Sequence, residues 1–321
     1  MTDIVEAVHR LCANQPRGRG DRARVPAREL VHIDDEPVIA ESKADFTAIY
    51  DQPDPRAYFR TLGALDYQIP QQSMPVIRAV LGAAQRAGRP AAVLDLCCSY
   101  GVNAALLRCD VELEEIIERY SQSELADLTP AELAAADAEF FSTHRRTPDV
   151  PVIGLDLSAP AIDYACRAGL LTDGWAENLE TDEPSPSLVA GLGTVGLVIC
   201  TGGVGYVGRP TFQRLLEAVD EPAELWLAVF VLRVFCYDDI VDTLAGHGLV
   251  TEKVPGLTVR QRRFADRSEY DAALHALELL GIDPTGKETD GWYHAECFVT
   301  RPAALAAAMP LRELLAGVLE G

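Results

Sequence analysis

The sequence predicts an α/β protein built on a doubly wound, mostly parallel sheet with an antiparallel edge hairpin. Helical additions are expected at the N-terminus and after the first strand-helix unit. Three observations carry this expectation. Apolar runs of strand length alternate with amphipathic runs of helical period along most of the 321 residues. Residues 93–103, Val-Leu-Asp-Leu-Cys-Cys-Ser-Tyr-Gly-Val-Asn, form an apolar strand that enters a tight loop of small residues and then the helical 104–107. The last two strand-like runs lack the long crossover that parallel neighbours need.

Taken in order, residues 2–12 place Ile4, Val5, Val8 and Leu11 at helical spacing and lead into an arm rich in Gly, Pro and Arg. The segment 45–65 carries Phe46, Ile49, Tyr50, Tyr58 and Phe59, and 74–87 reads as an amphipathic helix entering the first strand. Residues 1–88 are therefore an arm and a helical cover over the core. Strand-helix alternation resumes only at Val150, so 109–149 is an insertion, with helical periodicity over 111–120 and 131–145. Thr129 and Glu132 offer a cap to its second helix, with Pro130 at the first helical position. An insertion at the cofactor end of a sheet forms a lid or an oligomer surface, and the sequence leaves both open.

Beyond it, a strand at 151–156 precedes a helix at 159–169, a strand at 195–200 a helix at 210–218, and a strand at 224–232 a helix at 237–246. A strand at 249–259, a helix around 268–280 and a strand at 295–300 close the cofactor-binding domain, 89–301. A C-terminal helix is expected over 302–321. Pro310 suits a first helical position there, and Leu311, Leu314, Leu315 and Val318 form a stripe for the core or for a two-fold homodimer.

Bulk properties narrow the function. A formal charge of -21 excludes nucleic acid as a main partner, because phosphate neutralisation needs clustered Lys and Arg. Arg17, Arg19, Arg22, Arg24 and Arg28 are a local exception that reads either as a solvated arm or as an anion contact. The 8 cysteines form no C-x-x-C pair and sit mostly in apolar runs, as buried thiols of a reducing compartment do. No run reaches membrane length, and Asp3 and Glu6 interrupt any secretory signal, so a cytoplasmic protein without membrane partners is expected. The 6 histidines show no ligand spacing, so no metal is expected.

The residues at 93–101, at 152–156 with Ser158 and Ala161, and at 197–203 resemble the class I S-adenosylmethionine (SAM) dependent methyltransferases, over roughly 50–301. The resemblance implies a Rossmann-like sheet and SAM as cofactor. It implies that Asp95 is the acidic residue ending the first strand, and that Asp156 accepts both ribose hydroxyls at the end of the second. Where the family loop carries three alternating glycines, this chain has Cys97, Ser99 and Gly101. Cys97 and Ser99 therefore add a Cβ and a polar atom near the methionine end, where glycine would permit positive φ. Gly101 and Asp156 stand further apart than the family spacing because of the insertion, with Asp110 or Glu112 as the fallback. Leu157, Asn178, Thr201 and Tyr50 are implied as further cofactor contacts, and Asn178, Leu179 and Glu180 fall where an adenine contact is expected.

Several side chains carry two readings. Asn103 bonds a ligand carboxylate or caps a helix. Tyr100 and Tyr206 face the pocket or pack in the core, and Tyr50 and Tyr58 either close over SAM or pack. Thr201, before Gly202 and Gly203, is a pocket residue, whereas a lone His294 reads as structural. Tyr206, Asn103, Thr201 and Tyr58 are the candidate catalytic groups, with Tyr206 or Asp238 as a base where one is needed. Three functions follow: methyl transfer to a small metabolite; attack on the methionine Cγ of SAM, releasing methylthioadenosine and a small cyclic amino acid, with Asn103, Ser99, Ser158 or a lid tyrosine orienting the nucleophile; or binding without chemistry. The partner is a small-molecule substrate, or none beyond SAM.

Overall fold

A computed structural model describes residues 47–319. The expected helix over 2–12, the arginine cluster and Phe46 lie outside the described residues. The chain runs through α1 (Thr47–Tyr50), α2 (Arg56–Gly63) and the long α3 (Ile69–Arg86) into β1 (Ala92–Leu96) and α4 (Val102–Arg108). The insertion carries α5 (Leu113–Arg119) and α6 (Pro130–Thr143). There follow β2 (Val152–Asp156), α7 (Ala159–Arg167), β3 (Asp173–Ala176), α8 (Pro186–Leu192), β4 (Val195–Thr201), α9 (Arg209–Ala218), β5 (Trp226–Leu232) and α10 (Asp238–Gly246). The remainder is β6 (Leu249–Arg263), α11 (Arg267–Leu280), β7 (Trp292–Pro302), α12 (Ala303–Ala308), α13 (Leu311–Leu314) and α14 (Ala316–Leu319).

The strands form one sheet in the order β3-β2-β1-β4-β5-β7-β6. Neighbours from β3 to β5 are parallel, whereas β7 runs antiparallel to both β5 and β6. The expected antiparallel edge is present, with β7 between β5 and β6, but a segment carrying α11 joins β6 to β7 where a direct hairpin had been expected. The burial pattern explains the swap: β7 is buried along almost its whole length and suits an interior position, whereas β6 alternates exposed and buried residues as an edge strand does. Successive strand residues feed two apolar layers. Val93, Leu197, Ile199, Phe230 and Val299 pack toward α2, α3 and α11, while Leu94, Leu96, Val198, Cys200 and Val229 pack on the opposite face toward α8, α9 and α10.

The insertion is tied to the cover and to α7. It leaves the chain after α4, at the end of the sheet opposite the carboxyl end of β1, because a crossover helix runs against its strand. A bridge between Cys109 and Arg145 closes its stem. Arg108 is buried there, bonded to both oxygens of Asp149 at 3.0 and 2.7 Å and to the carbonyl of Leu170. Thr129 and Glu132 form the expected capping box on α6. Buried Asp137 accepts bonds from Arg119 Nε at 2.9 Å, from the Tyr164 hydroxyl at 2.6 Å and from the Tyr120 hydroxyl, tying α5 and α6 to α7. Tyr120 stacks on Phe59 of α2 with ring centroids 4.6 Å apart, and Arg56 donates to the carbonyls of Leu125 and Ala126. The insertion thus braces the cover from its flank, with Thr129, Pro130 and Ala131 at the start of α6 beside Pro53 and beside Pro160 at the start of α7.

The expected C-terminal helix is three short ones. Met309 and Pro310 are extended, so Pro310 precedes α13 where a first helical position had been expected, and Leu311 and Leu315 enter the core.

Candidate functional site

The loop after β1 takes the backbone of a glycine loop although Cys97 and Ser99 stand at two of the alternating positions. Cys97 has φ 60, Ser99 φ 49 and Gly101 φ 79, so all three alternating positions are left-handed. Only Gly101 adopts this freely. The loop is fastened to β2 by its backbone: Cys97 N donates to the carbonyl of Leu155 at 2.8 Å, and Ser99 N to Asp156 Oδ2 at 2.8 Å. The other oxygen of Asp156 accepts from Ser158 N at 3.0 Å. Asp156, half-buried at the end of β2, is thereby oriented by both adjoining loops, and the fallback residues are elsewhere. Asp110 pairs with Arg146 at the insertion stem and Glu112 caps α5.

Beneath the loop, Asp95 is fully buried. Its Oδ1 accepts from Asn103 Nδ2 at 2.9 Å, and that amide also lies 3.0 Å from Thr201 Oγ1 at the end of β4. Three residues distant in sequence therefore form one polar group at the carboxyl ends of β1 and β4. The second oxygen, Asp95 Oδ2, is buried without a partner. Burial, with Asp156 adding to it against the Asn103 bond, pushes Asp95 up to about 7.

The side chains of Cys97 and Ser99 part ways. Cys97 is hydrogen-bonded to Cys200, which together with burial raises its thiol well above the ordinary range. Gly203 makes room for this pair: a Cβ there would stand 2.8 Å from Cys97 Sγ and 2.7 Å from Cys200 Sγ. The expectation that Cys97 offers its polar atom to a ligand is corrected, since the thiol turns to β4. Ser99 is 6% exposed and its Oγ has no partner.

The cover is latched to these loops. Tyr100 Oη donates toward the carbonyls of Gln52 at 2.9 Å and Ile49 at 3.2 Å and accepts from Gln52 N at 3.0 Å. Ser158, which caps α7 through Ala161 N, bonds Asp51 Oδ1 at 3.1 Å. The rings of Tyr50, Tyr67 and Tyr100 lie 5.5, 6.1 and 5.6 Å from that of Tyr58. Tyr58 is 2% exposed with its hydroxyl paired to Tyr67, so its place is a packing position, against the expected catalytic one. Tyr100 is likewise a latch and not a pocket wall. Tyr50 is half-buried, within electrostatic reach of Asp156, Tyr206 and Arg262.

Other expected residues scatter. Leu157 is 64% exposed beside Asp156, and Tyr206 is 55% exposed in the turn after β4, near Arg262 and Cys97. Leu179 is core, and Glu180 caps the start of α9 by accepting from Gly208 N at 2.7 Å and Thr211 Oγ1 at 2.5 Å, so neither is placed for an adenine. Asn178 Oδ1 holds the turn through Glu180 N at 3.0 Å. Asp238 is exposed at the start of α10, and His294 is a buried β7 residue that burial, then Arg233, lowers to about 4. Sequence reasoning missed the end of β6. There Gln261 Nε2 lies 2.8 Å from where a Gly202 Cβ would be, and buried Arg262 makes two bonds to buried Glu269 at 2.9 and 2.7 Å. Arg260, Gln261, Arg262 and Arg263 carry no apolar alternation, so the sequence offered no signal for it. Among the described residues, no group of His, Cys, Asp and Glu is arranged to hold a metal.

No family model matches the chain, and no curated protein matches it. Solved structures resemble it distantly. The magnesium protoporphyrin IX methyltransferase of Synechocystis PCC 6803, with bound SAH, is 12% identical over 74% of this chain and 85% of that one, with a TM-score of 0.35. The O-methyltransferase from a trans-AT PKS multienzyme of Brevibacillus brevis, in complex with S-adenosyl-L-homocysteine, is 12% identical over 76% and 82%, with a TM-score of 0.37. A TehB-like SAM-dependent methyltransferase from Corynebacterium glutamicum is 14% identical over 68% and 86%, with a TM-score of 0.32. Likeness at this distance carries no argument about activity; the chain's own strand order, with β7 reversed between β5 and β6, is that of a mostly parallel Rossmann-like sheet.

Proposed function

We propose that the protein is a SAM-dependent methyltransferase acting on a small molecule. One observation carries the reading: Cys97, Ser99 and Gly101 hold the left-handed loop backbone, and that loop is bonded to the Asp156 carboxylate. The residues present fit the cofactor. Each Asp156 oxygen accepts one backbone N–H and keeps lone pairs for ribose hydroxyls. Asp95 Oδ2 and Ser99 Oγ are buried polar atoms without partners, which a bound ligand would satisfy.

When bound, SAM supplies a methyl group on a cationic sulfur. The chain's task is then alignment and exclusion of water. Asp156 holds the ribose, exposed Leu157 offers an apolar face to the base, and Asn103 with Asp95 orients the amino-acid end. The aromatic cover formed by Tyr50, Tyr58 and Tyr67 keeps solvent away. Burial raises Tyr67 to about 12 and lifts Tyr50 beyond the ordinary phenol range, so these phenols stay protonated and donate hydrogen bonds. Such a site suits an acceptor that arrives with its lone pair free.

The test is calorimetric titration with SAM, followed by mass-detected chromatography of protein incubated with SAM alone and with candidate acceptors. Binding, stable SAM without acceptor, and S-adenosylhomocysteine with one are expected. Absence of heat and of thermal stabilisation overturns the reading, and methylthioadenosine from SAM alone replaces it with attack at Cγ.

A further inference from the structure

We infer that the cavity at the stem of the insertion binds a small α-amino acid, whose carboxylate meets Arg78 and whose ammonium meets Glu112 and Glu115. The cavity measures about 380 Å³ and lies between α3, the end of α4 and the first turn of α5. It opens at the end of the sheet opposite the carboxyl end of β1, so the inference does not rest on the SAM reading. Met74, Leu106 and Val111 give it an apolar lining, and the charged side chains that face it are Arg78, Arg146, Asp110, Glu112 and Glu115.

Two of these charges are spent on each other. Arg146 pairs with Asp110 at 2.9 Å, and its Nε donates to the carbonyl of Cys109 at 2.8 Å. Arg78 is aimed by a single bond, from Nη2 to the carbonyl of Leu106 at 2.7 Å, and among the described residues no carboxylate stands within ion-pair distance of it. Burial, then the like charge of Arg146, lowers the Arg78 guanidinium from its ordinary value, with Asp110 opposing. An anion beside Arg78 would offset both effects. Glu112 and Glu115 are joined in a capping box, Glu112 N donating to Glu115 Oε2 at 2.7 Å, and among the described residues no cation pairs with either. Gln71 Oε1 accepts from Leu113 N at 3.0 Å and so holds α3 to α5. One guanidinium and two carboxylates therefore share a cavity, each fastened to backbone and kept out of mutual contact. The guanidinium only donates and an ionised carboxylate only accepts. A lone anion would face the glutamates and a lone cation would face Arg78, whereas an α-amino acid carries both complementary charges on one carbon.

The experiment is calorimetric titration of the full chain with L-alanine, with N-acetyl-L-alanine, which lacks the ammonium, and with L-alaninamide, which lacks the carboxylate. L-Alanine is expected to bind, and each of the other two about tenfold more weakly. R78Q should weaken L-alanine about tenfold and leave L-alaninamide within about twofold; E115Q, on the other wall, should weaken L-alanine and leave N-acetyl-L-alanine within about twofold. Saturating S-adenosylhomocysteine should leave L-alanine affinity unchanged. No heat with L-alanine, equal binding of the three probes, unaltered binding by both variants, or competition with S-adenosylhomocysteine overturns the inference. Failure of the chain to bind SAM overturns the functional reading and leaves this inference standing.

Discussion

At the scale of single residues, Asp95 has a consequence for pH. Its carboxyl is raised from 3.8 to about 7, chiefly by burial. Between those values the folded chain retains a proton that the unfolded chain has released, so the contribution of this group is fully present at low pH and is lost as pH rises through about 7. D95N keeps an oxygen for Asn103 and removes the titration. Its ligand-free melting temperature should gain on the parent's as pH goes from 5 to 8, in differential scanning calorimetry; a pH-independent difference would refute this. Asp95 and Asp156 came to notice in the sequence through the family resemblance, and the structure places Asp95 within β1 and Asp156 at the end of β2. The conformations of Cys97 and Ser99 were not legible there, since neither residue type announces a left-handed backbone. Glu180 misled because a cap and an adenine contact require the same kind of side chain.

At the scale of elements, the insertion is tied down through one buried carboxylate. Removing Asp137 leaves the Tyr120 and Tyr164 hydroxyls and Arg119 without their shared acceptor. D137A is expected to cost about 3–5 kcal/mol, read by urea denaturation, and to raise amide exchange across α5 and α6. SAM affinity should change little, because none of the groups gathered around Asp95, Asn103, Asp156 and Thr201 comes from the insertion. A large affinity loss with normal stability would show that the insertion takes part in binding. Strands and helices were legible where one face alternates or an apolar run is continuous, as in β1, β4 and β5. The insertion's position was not, because helical periodicity reports which face is buried and says nothing of which neighbour buries it. The β6 end was lost for a related reason: Arg260, Gln261, Arg262 and Arg263 read as a solvated strand terminus, yet Arg262 turns inward to Glu269.

At the scale of the whole molecule, one apolar layer joins parts that the sequence separates. Tyr58 and Leu62 of the cover, Leu113, Leu133 and Phe141 of the insertion, Val93 and Phe230 of the sheet, Leu277 of α11 and Leu315 near the C-terminus belong to one buried cluster. Cover, insertion and sheet should therefore unfold together. Far-ultraviolet circular dichroism, dominated by helices, and fluorescence of Trp175, Trp226 and Trp292, all on strands, are expected to give coincident denaturant transitions. Separate midpoints would mean that the insertion or cover is an independent unit. The stem of the insertion has a further meaning for chain continuity. Cys109 and Arg145 are bridged backbone to backbone, and partners in such a bridge lie about 5 Å apart. A turn of about two to four residues spans that gap. The excursion between them is thus a parenthesis in the polypeptide: excising it would leave a closable chain and an intact cofactor loop, with the flank of α2 bared to water.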